Sequence, residues 1–336
     1  MPTSVSLMLC TLIKEPFNDK EWLYEVKWDG YRIIALINKE KVILKSRGDQ
    51  NYTSKYSPVS KSLKELKYDA VIDGEVVVLD ENGQPDFSAL QNYRLGNAIA
   101  FYGFDLLWCN GHDLMRLPLS DRKDLLKQIL PVNDIIKYSE SFDDGLELFN
   151  TAKNLGVEGI VAKKRDSIYT PARKGNTWYK AKHSLRQEYV IGGWAESDKR
   201  PFRSLLFGHY VNGEFTYVHH SGGGFMDKQM KELSEKLKKL EIKESPFVNK
   251  VDLKAKLHWA KPVLVAEFEK STNTTASGKI RHPAIFIALR EDKKARDVVE
   301  EVPEIIKPPK KTSKWQEQET KQLKAQVRRN QRKQFT

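Results

Sequence analysis

Residues 25–32 read Glu-Val-Lys-Trp-Asp-Gly-Tyr-Arg, and the rest of the chain is organised around this stretch. Residues 22–26 have the apolar pattern of a strand, Asp29-Gly30 is a turn signal, and an apolar strand resumes at Tyr31. This pattern places Lys27 just before a tight bend, where a glycine keeps the backbone thin enough for a ligand to approach. The sequence therefore predicts that Lys27 points into a cleft.

Lys27 has two interpretations. A single Lys-x-Asp-Gly match is most often a solvated lysine at the end of a strand. The alternative is a nucleophile, for which a free lysine is poorly suited, because its pKa near 10.4 leaves only about one molecule in a thousand unprotonated at neutral pH. Nearby cations would have to lower that pKa. The second interpretation therefore predicts cationic partners for Lys27 elsewhere in the chain.

Length and charge predict two domains and a basic tail. A chain of 336 residues with 40% hydrophobic and 30% charged residues is typical of a soluble globular protein with more than one core. The formal charge of +12 favours a polyanionic partner. Residues 307–336 carry a net +8 of this excess, and they have few large apolar groups. We expect this segment to be disordered or weakly helical, either as a solvated extension or as a tether for the polyanionic partner.

Cysteine use and hydropathy exclude several other classes. Two cysteines, Cys10 and Cys109, cannot form a disulfide framework or a four-cysteine zinc site, which fits a reducing interior. The apolar run at residues 5–13 is too short to cross a bilayer and lacks a basic segment before it. We therefore expect a cytoplasmic protein with no membrane partner.

The hydrophobic pattern predicts an α+β first part and an all-β second part. The first part has strand patterns at residues 32–37, 42–45, 71–79 and 101–108, and we expect Asp73-Gly74-Glu75 to interrupt the strand at 71–79. Helix patterns lie at 57–66, at 144–155 and after Ser120 as a cap. Short strands follow at residues 189–194, 204–211, 214–220, 263–268 and 285–289, around one helix that carries Met230, Leu233, Leu237 and Leu240. Five or so short strands with one helix are typical of a small closed barrel of the OB type.

Several side chains in these elements are candidates for binding an anion or a base. Arg47 is either an ordinary turn residue or an anion clamp, because its guanidinium fork suits phosphate. Lys180 and Lys182 share one face of a strand, where two like charges repel unless an anion lies between them. Glu75 lies among valines and needs a metal, a sugar hydroxyl or a cation as partner. Phe104 is either a core residue or a platform for a base.

Taken in order, these segments resemble the motifs of the ATP-dependent DNA ligases. The nearest resemblance is to the ligase module of bacterial end-joining ligases of the LigD type, and it runs from about Met8 to Lys293. The motifs are Lys27-Trp-Asp-Gly-Tyr-Arg32, Ser46-Arg47, Asp73-Gly-Glu75-Val, Phe104-Asp105-Leu-Leu, Glu158-Gly-Ile-Val, Trp178-Tyr-Lys180-Ala-Lys182 and the segment from Arg281-His-Pro to Arg290-Glu-Asp-Lys293. Each motif alone is weak evidence for the family, but seven motifs in this order are not expected by chance. Gly48-Asp49 departs from the Asn-Gly that usually follows the motif arginine.

The resemblance implies a fold and a reaction. The fold would be a nucleotidyltransferase domain (ATP-grasp-like, adenylation) of antiparallel sheets with helices at residues 1–186, an OB-fold β-barrel at 187–300, and a basic, disordered tail at 301–336. Lys27 would attack the α-phosphate of ATP and form a lysyl-AMP. The AMP would pass to the 5′-phosphate of a DNA nick, and the 3′-hydroxyl would then displace it and seal the strand.

The resemblance also implies which residues hold the nucleotide. Glu25 would read the amino group of adenine, and Phe104 would stack on the base. Arg32 and Arg47 would hold ribose and phosphate, with Arg47 also meeting the 5′-phosphate of the nick. Glu75 would contact ribose or metal.

The remaining implied roles concern charge. Lys180 and Lys182 would bracket the α-phosphate and would form the catalytic group together with Lys27 and Arg32. Glu158, with Glu75, would hold Mg²⁺, or Mn²⁺ in its place. Four residues would belong to the part of the second domain that closes over ATP: Arg281, Arg290, Asp292 and Lys293.

The expected partner is nicked double-stranded DNA, which Arg47, Arg173 and Lys174 would contact. We also expect the protein to be bacterial, monomeric and associated with the nucleoid. A Ku-type end-binding protein is expected as a further partner. Only 26 residues precede Lys27, and no polymerase or phosphoesterase module accompanies the ligase motifs, so we expect a minimal ligase or a module of a longer chain. Two alternatives stay open: an RNA ligase or capping-type nucleotidyltransferase, and a noncatalytic nucleic-acid-binding protein.

Overall fold

The computed structural model describes residues 1–39, 41–154, 157–270 and 284–306. The predicted ATP-closing residue Arg281 and most of the predicted tail lie outside these ranges. The chain divides into two compact units, Met1–Glu304 and Ile305–Thr336. Of the second unit, Ile305 and Ile306 are described, and neither lies in a helix or strand.

The first unit contains all the described helices and strands. The strands are β1 (Leu9–Leu12), β2 (Trp22–Lys27), β3 (Tyr31–Asn38), β4 (Lys41–Ser46), β5 (Ala70–Leu79), β6 (Ala98–Cys109), β7 (His112–Asp113), β8 (Ile136–Tyr138), β9 (Gly159–Lys164), β10 (Lys174–Lys182), β11 (Leu185–Ala195), β12 (Ser204–Val211), β13 (Glu214–Ser221), β14 (Glu241–Ile242), β15 (Leu257–Lys270) and β16 (Ile285–Leu289). The helices are α1 (Ser57–Ser62), α2 (Phe87–Gln91), α3 (Leu119–Ile129), α4 (Gly145–Asn154) and α5 (Asp227–Lys239), with 3-10 turns at Leu63–Glu65 and Ala295–Asp297.

Two sheets face each other in the first domain. One is six-stranded, in the order β4-β3-β5-β6-β7 with β8 parallel to β6, and the other is four-stranded, in the order β1-β10-β9-β2. Leu23 and Trp178 of the four-stranded sheet pack in one core with Ile34, Val71 and Leu107 of the six-stranded sheet. Successive side chains of a strand point to opposite faces of its sheet. The polar residues between the apolar ones can therefore line a pocket next to this core.

The second domain is a small barrel. Its strands run in the order β13-β12-β11-β15-β14, with β16 also paired to β15. A parallel bridge between Gly223 and Ile285 brings β16 to the end of β13, and the Phe286 N–H donates to the Gly223 carbonyl at 3.0 Å. Met230 and Leu233 of α5 pack into the barrel core. The predicted architecture, an adenylation domain followed by an OB-fold barrel, is confirmed.

Two local predictions differ from the structure. Ser120 does not cap α3: the helix begins at Leu119, Pro118 occupies the cap position, and Ser120 lies in the first turn. Proline is suited to a helix start because its φ is fixed near the helical value and because it has no N–H that would lack a partner there. The Asp73-Gly74-Glu75 segment does not interrupt β5, which continues through it with a register shift against β6 between Asp73 and Gly74.

A buried ion pair fixes α3 against the six-stranded sheet. Arg122 donates from Nε and Nη2 to the two carboxylate oxygens of Asp105 at 2.7 and 2.8 Å, and neither side chain is exposed to solvent. Its Nη1 donates to the carbonyls of Leu117 and Ser167 at 2.6 and 2.9 Å. This pair therefore anchors β6, the strand that carries Phe104.

Arg122→Met should lower the free energy of unfolding by about 3–5 kcal/mol, because it leaves the Asp105 carboxylate buried without its partner. Urea denaturation measures this change. The control is Lys127→Met on the same helix, whose partner Glu140 is exposed and whose loss should cost about 1 kcal/mol or less. Equal losses in the two variants would contradict the assignment.

No helix of the described residues is long and apolar enough to span a membrane.

Candidate active site

A pocket opens between the two sheets of the first domain, and the start and end of the second domain complete its wall. Thirteen of the fifteen residues predicted from the sequence line it. They are Glu25, Lys27, Arg32, Arg47, Glu75, Phe104, Glu158, Lys174, Lys180, Lys182, Arg290, Asp292 and Lys293. Arg173 is exposed beside the pocket and does not line it, and Arg281 lies outside the described residues.

Lys27 and Lys182 meet at the start of β9. Both are paired in register with Gly159, Lys27 from β2 and Lys182 from β10, so that Glu158 lies between the two amines. Gly159 has a φ of +154°, and a Cβ there would lie 2.0 Å from the Ala181 carbonyl oxygen, so only glycine fits. The backbone thus brings the three charged groups together.

Glu158 forms an ion pair with each lysine. Its Oε2 accepts from Lys27 Nζ, and its Oε1 lies 2.8 Å from Lys182 Nζ. Burial raises the pKa of Glu158, but Lys182 and Lys27 outweigh it and hold that pKa well below its usual value. Burial likewise opposes the charge on Lys182, and Glu158 and Glu267 overcome it and raise the pKa of Lys182. Glu158 is therefore a carboxylate at neutral pH, and it holds the Lys27 amine inside the pocket.

Lys180, two residues before Lys182 on the same strand face, has a different partner. Its Nζ donates to both carboxylate oxygens of Glu301, at 2.5 and 2.7 Å. Burial lowers the pKa of Lys180 to about 8, although Glu301 opposes that shift. The protein thus stabilises the charge of Lys180 less than that of Lys182.

Two arginines of the pocket wall, Arg32 and Arg47, differ in how firmly the protein holds them. Arg32 donates to both carboxylate oxygens of buried Asp73, at 3.0 and 2.6 Å, and to the Met8 carbonyl at 2.8 Å. Arg47 follows β4 and forms no hydrogen bond or ion pair with any described residue. Arg32 is therefore prearranged, whereas Arg47 is a half-buried cation that faces the pocket with its donors available to an anion.

Glu25 is held more tightly than the sequence suggested. It is 2% exposed, and its oxygens accept from Lys123 at 2.8 Å and from Lys163 at 2.9 Å. Lys163 Nζ lies 4.2 Å from the centre of the Phe104 ring, so the two residues predicted to meet adenine share a cation as neighbour. Sequence reasoning missed Lys123, because it lies 98 residues from Glu25 and in a different element.

Glu75 is a carboxylate of the pocket wall that has no direct partner among the described residues. Among the described residues, none donates a hydrogen bond or forms an ion pair with it, and burial raises its pKa to about 8. No group of three or more His, Cys, Asp or Glu side chains in the described ranges is arranged to hold a metal ion. Mg²⁺ typically takes one or two carboxylates and completes its shell with water and substrate phosphates. Glu75 and Glu158 both line the pocket and are carboxylates of the kind that this requirement names.

The second domain contacts the first above this pocket. Arg290 donates to both oxygens of Asp292 at 2.9 Å, and its guanidinium lies 4.9 Å from the ring centre of Phe87 in the first domain. The Gly48 N–H donates to the Asp292 carbonyl at 2.9 Å, and a Cβ at Gly48 would lie 2.9 Å from that oxygen. The glycine that departs from the usual motif therefore lies where the backbones of the two domains approach closely.

Six charged residues of the pocket wall were not singled out from the sequence: Lys163, Arg186, Glu188, Glu267, Asp297 and Glu301. Besides Lys163, three of them pair with predicted residues or with the Lys27 turn: Glu188 with Lys293, Glu301 with Lys180, and Arg186 with Asp29 at 2.8 Å. Glu188, Arg186 and Glu267 come from β11 and β15, whose strand pattern marked them only as polar positions. No short motif signals such residues, because their role arises from the contact between domains.

Comparison with known proteins agrees with this geometry. The family described as "ATP dependent DNA ligase domain" matches residues 7–182, and "ATP dependent DNA ligase C terminal region" matches residues 198–293. The chain is 35% identical to the multifunctional non-homologous end joining protein LigD of Mycolicibacterium smegmatis, over 84% of this chain and 38% of that one. The corresponding protein of Pseudomonas aeruginosa is 34% identical, over 90% and 37%.

A solved structure of mycobacterial DNA ligase D complexed with ATP and MES is similar in fold. It superposes with a TM-score of 0.64 at 34% identity, and the match covers 88% of this chain and 98% of that chain. This chain spans less than two fifths of the length of the curated relatives given above.

Proposed function

Because the chain belongs to the ATP-dependent DNA ligases, we propose that it seals 5′-phosphate/3′-hydroxyl nicks through a covalent AMP on Lys27. The observation that carries this proposal is the position of the Lys27 amine, which is paired with Glu158 beside Lys182 in a pocket that also contains Glu75 and Lys180. A solvated lysine at a strand end would have no such surroundings.

The proposed first step forms a bond between Lys27 Nζ and the α-phosphorus of ATP and breaks the bond to pyrophosphate. The amine loses a proton, and negative charge develops on the phosphoryl and leaving oxygens. Such transfers are accelerated mainly by alignment and by fixed positive charge. Lys180 and Lys182 would flank the α-phosphate, Arg32 and Arg47 would bind the other oxygens, and Glu158 would hold the amine in line.

The adenine base and the metal would be bound by other residues of the same pocket. Phe104 would stack on the base and Glu25 would accept from its amino group, in a site whose charge Lys123 and Lys163 balance. Mg²⁺, or Mn²⁺, would be held by Glu75 and Glu158 and would neutralise charge on the phosphates.

The second and third steps require the pocket to exchange ATP for a nick. Arg290, Asp292 and Lys293 lie over the site in this arrangement and would orient pyrophosphate as it leaves. Opening of the second domain would then admit the nick, whose 5′-phosphate takes AMP from Lys27 before the 3′-hydroxyl displaces it. Arg47, Lys174 and Arg173 would contact DNA at the exposed side of the pocket.

Binding of magnesium and ATP should release close to one proton at pH 7. Glu75 is mostly protonated at that pH, since burial raises its pKa to about 8, and it must lose the proton to coordinate metal. The release should fade above about pH 9, where the carboxyl is already ionised. Calorimetry in two buffers of different ionisation enthalpy measures it on Lys27→Met, which cannot react. Adding Glu75→Gln should remove this release, and an unchanged proton count would contradict the role.

A gel assay on nicked duplexes tests the function itself. We expect sealing that needs ATP and magnesium, occurs on DNA strands and is not supported by GTP. Sealing of RNA strands alone would favour the RNA ligase alternative. Guanylylation of the protein in place of adenylylation would favour a capping-type enzyme. Binding of the nick without sealing would favour a noncatalytic protein. Membership of the DNA ligase family favours the first outcome over all three.

The biological setting follows from the relatives. We propose a role in DNA repair by end joining in a bacterial cytoplasm, as a monomer at the nucleoid with a Ku-type protein as partner.

The basic residues 307–336 would tether DNA independently of sequence, so their removal should weaken nick binding and flatten its salt dependence. Unchanged binding would argue for a solvated extension. The predicted boundaries near residues 186 and 300 remain predictions, although Glu301 and Glu304 are bonded to the rest of the first unit.

A further inference from the structure

Residues 298–304, which we call the strap, follow the last strand of the barrel and return to the first domain. They lie beyond residues 198–293, where the second family match ends. At the far end of the strap, the Glu304 N–H donates to the Leu12 carbonyl at 2.9 Å, and the Lys14 N–H donates to the Glu304 carbonyl at 3.0 Å. The strap is therefore bonded beside β1, the edge strand of the four-stranded sheet.

The near end of the strap is held by one buried side chain. Gln187, 5% exposed, donates from Nε2 to the Val299 carbonyl at 3.0 Å and accepts the Glu301 N–H at 3.1 Å. With both ends bonded, the backbone at Glu301 has little freedom. Val299 and Glu301 consequently line the pocket.

The Glu301 carboxylate is directed at Lys180. Both of its oxygens accept from Lys180 Nζ, at 2.5 and 2.7 Å, and the two side chains are only 25% and 16% exposed. Burial raises the pKa of Glu301, but Lys180 and Lys182 outweigh it and lower that pKa, so the group is ionised at neutral pH. A carboxylate oxygen and a phosphate oxygen are equivalent acceptors for an ammonium group.

We propose that Glu301 is an internal competitor of ATP for Lys180. The inference rests on the proposed function, because it takes the α-phosphate of ATP as the anion that Lys180 binds. A carboxylate and a phosphate beside one partly buried ammonium would repel each other, so the Glu301 side chain must leave Lys180 as the nucleotide enters. Part of the ATP binding energy is spent on that exchange, and the strap returns the carboxylate when the nucleotide leaves.

The opposite role predicts the opposite result. If Glu301 only positioned Lys180 for ATP, its removal would loosen the lysine and weaken ATP binding. If Glu301 competes, its removal tightens ATP binding, and the tightening requires Lys180. The direction of the change in Kd therefore separates the two.

The test measures ATP binding by calorimetry on the full chain, with Lys27→Met in every variant so that no reaction follows. Glu301→Gln should lower the Kd at least about fivefold, which is about 1 kcal/mol. Glu301→Ala, a second variant that also removes the charge, should lower it too. The matched control is Glu304→Gln, which removes the same charge from an exposed side chain of the strap and should stay within about twofold. Adding Lys180→Met should abolish the effect of Glu301→Gln.

Each outcome has one meaning. An unchanged or higher Kd in Glu301→Gln and Glu301→Ala, with Glu304→Gln behaving as the parent, overturns the competition and leaves the proposed function intact. A tightening that persists with Lys180→Met also overturns it, since Glu301 would then act through another group. Absence of ATP binding in the Lys27→Met parent, shown to be folded by circular dichroism, would overturn the proposed function and this inference together.

Discussion

Replacement of Lys27 by alanine is expected to abolish nick sealing, with a loss of about 10⁴-fold or more. In the proposed reaction the Lys27 nitrogen forms the bond to AMP, and no water or neighbouring group can take over a covalent intermediate of this kind. Lys182 and Lys180 are amines in the same pocket, but Lys182 shares Glu158 with Lys27, and Lys180 is paired with Glu301. A discontinuous ligation assay with labelled nicked DNA measures the loss.

The same variant should retain part of its activity on a nick whose 5′-phosphate already carries AMP. That substrate bypasses the step in which Lys27 acts as nucleophile, and the final displacement needs only alignment and positive charge. Sealing of the pre-adenylylated nick would show that Lys27→Ala is folded and binds DNA. Sealing of the ordinary nick at the parental rate would contradict the role of Lys27.

Glu158→Gln should slow formation of the lysyl-AMP by about 10²-fold or more. The carboxylate bridges Lys27 and Lys182, so a neutral amide leaves two neighbouring ammonium groups without their shared counter-charge. The Lys27 amine would then turn away from Lys182, and alignment with the α-phosphate would be lost. Single-turnover labelling with α-labelled ATP measures the rate.

Glu140→Gln is the matched control for this experiment. Glu140 also pairs with a lysine, Lys127, but both side chains are about 60% exposed and lie outside the pocket lining. Its removal should leave the rate within about twofold, because exposed ion pairs contribute little. Equal losses in Glu158→Gln and Glu140→Gln would argue for a general effect of charge and against a site at Glu158.

The site was predictable from the sequence where strand geometry alone decides it. Lys180 and Lys182 share a face because side chains alternate along a strand, and Lys27 lies at the end of β2 because Asp29-Gly30 turns the chain. The family resemblance added Glu158, whose backbone neighbour Gly159 joins β2 and β10 in register. These features depend on a few residues that are adjacent in the chain, so the local sequence pattern is enough to predict them.

Other features depend on contacts between distant segments, and the sequence carried no signal for them. The pairing of Glu25 with Lys123 joins residues 98 apart, and that of Lys180 with Glu301 joins residues 121 apart. Ser120 is a good cap by residue type, yet Pro118 starts the helix earlier. The approach of Gly48 to Asp292 arises only when the second domain lies over the first. Local patterns specify which residues are polar, and the packing of domains decides which of them become partners.

The mass of the protein after incubation with ATP and magnesium tests the central claim most directly. We predict a gain of one adenylyl group, lost on addition of pyrophosphate or nicked DNA, and located by peptide mapping on Lys27. An adenylyl group mapped to Lys180, Lys182 or any other residue, or an unmodified protein that still seals nicks with ATP, would contradict the account.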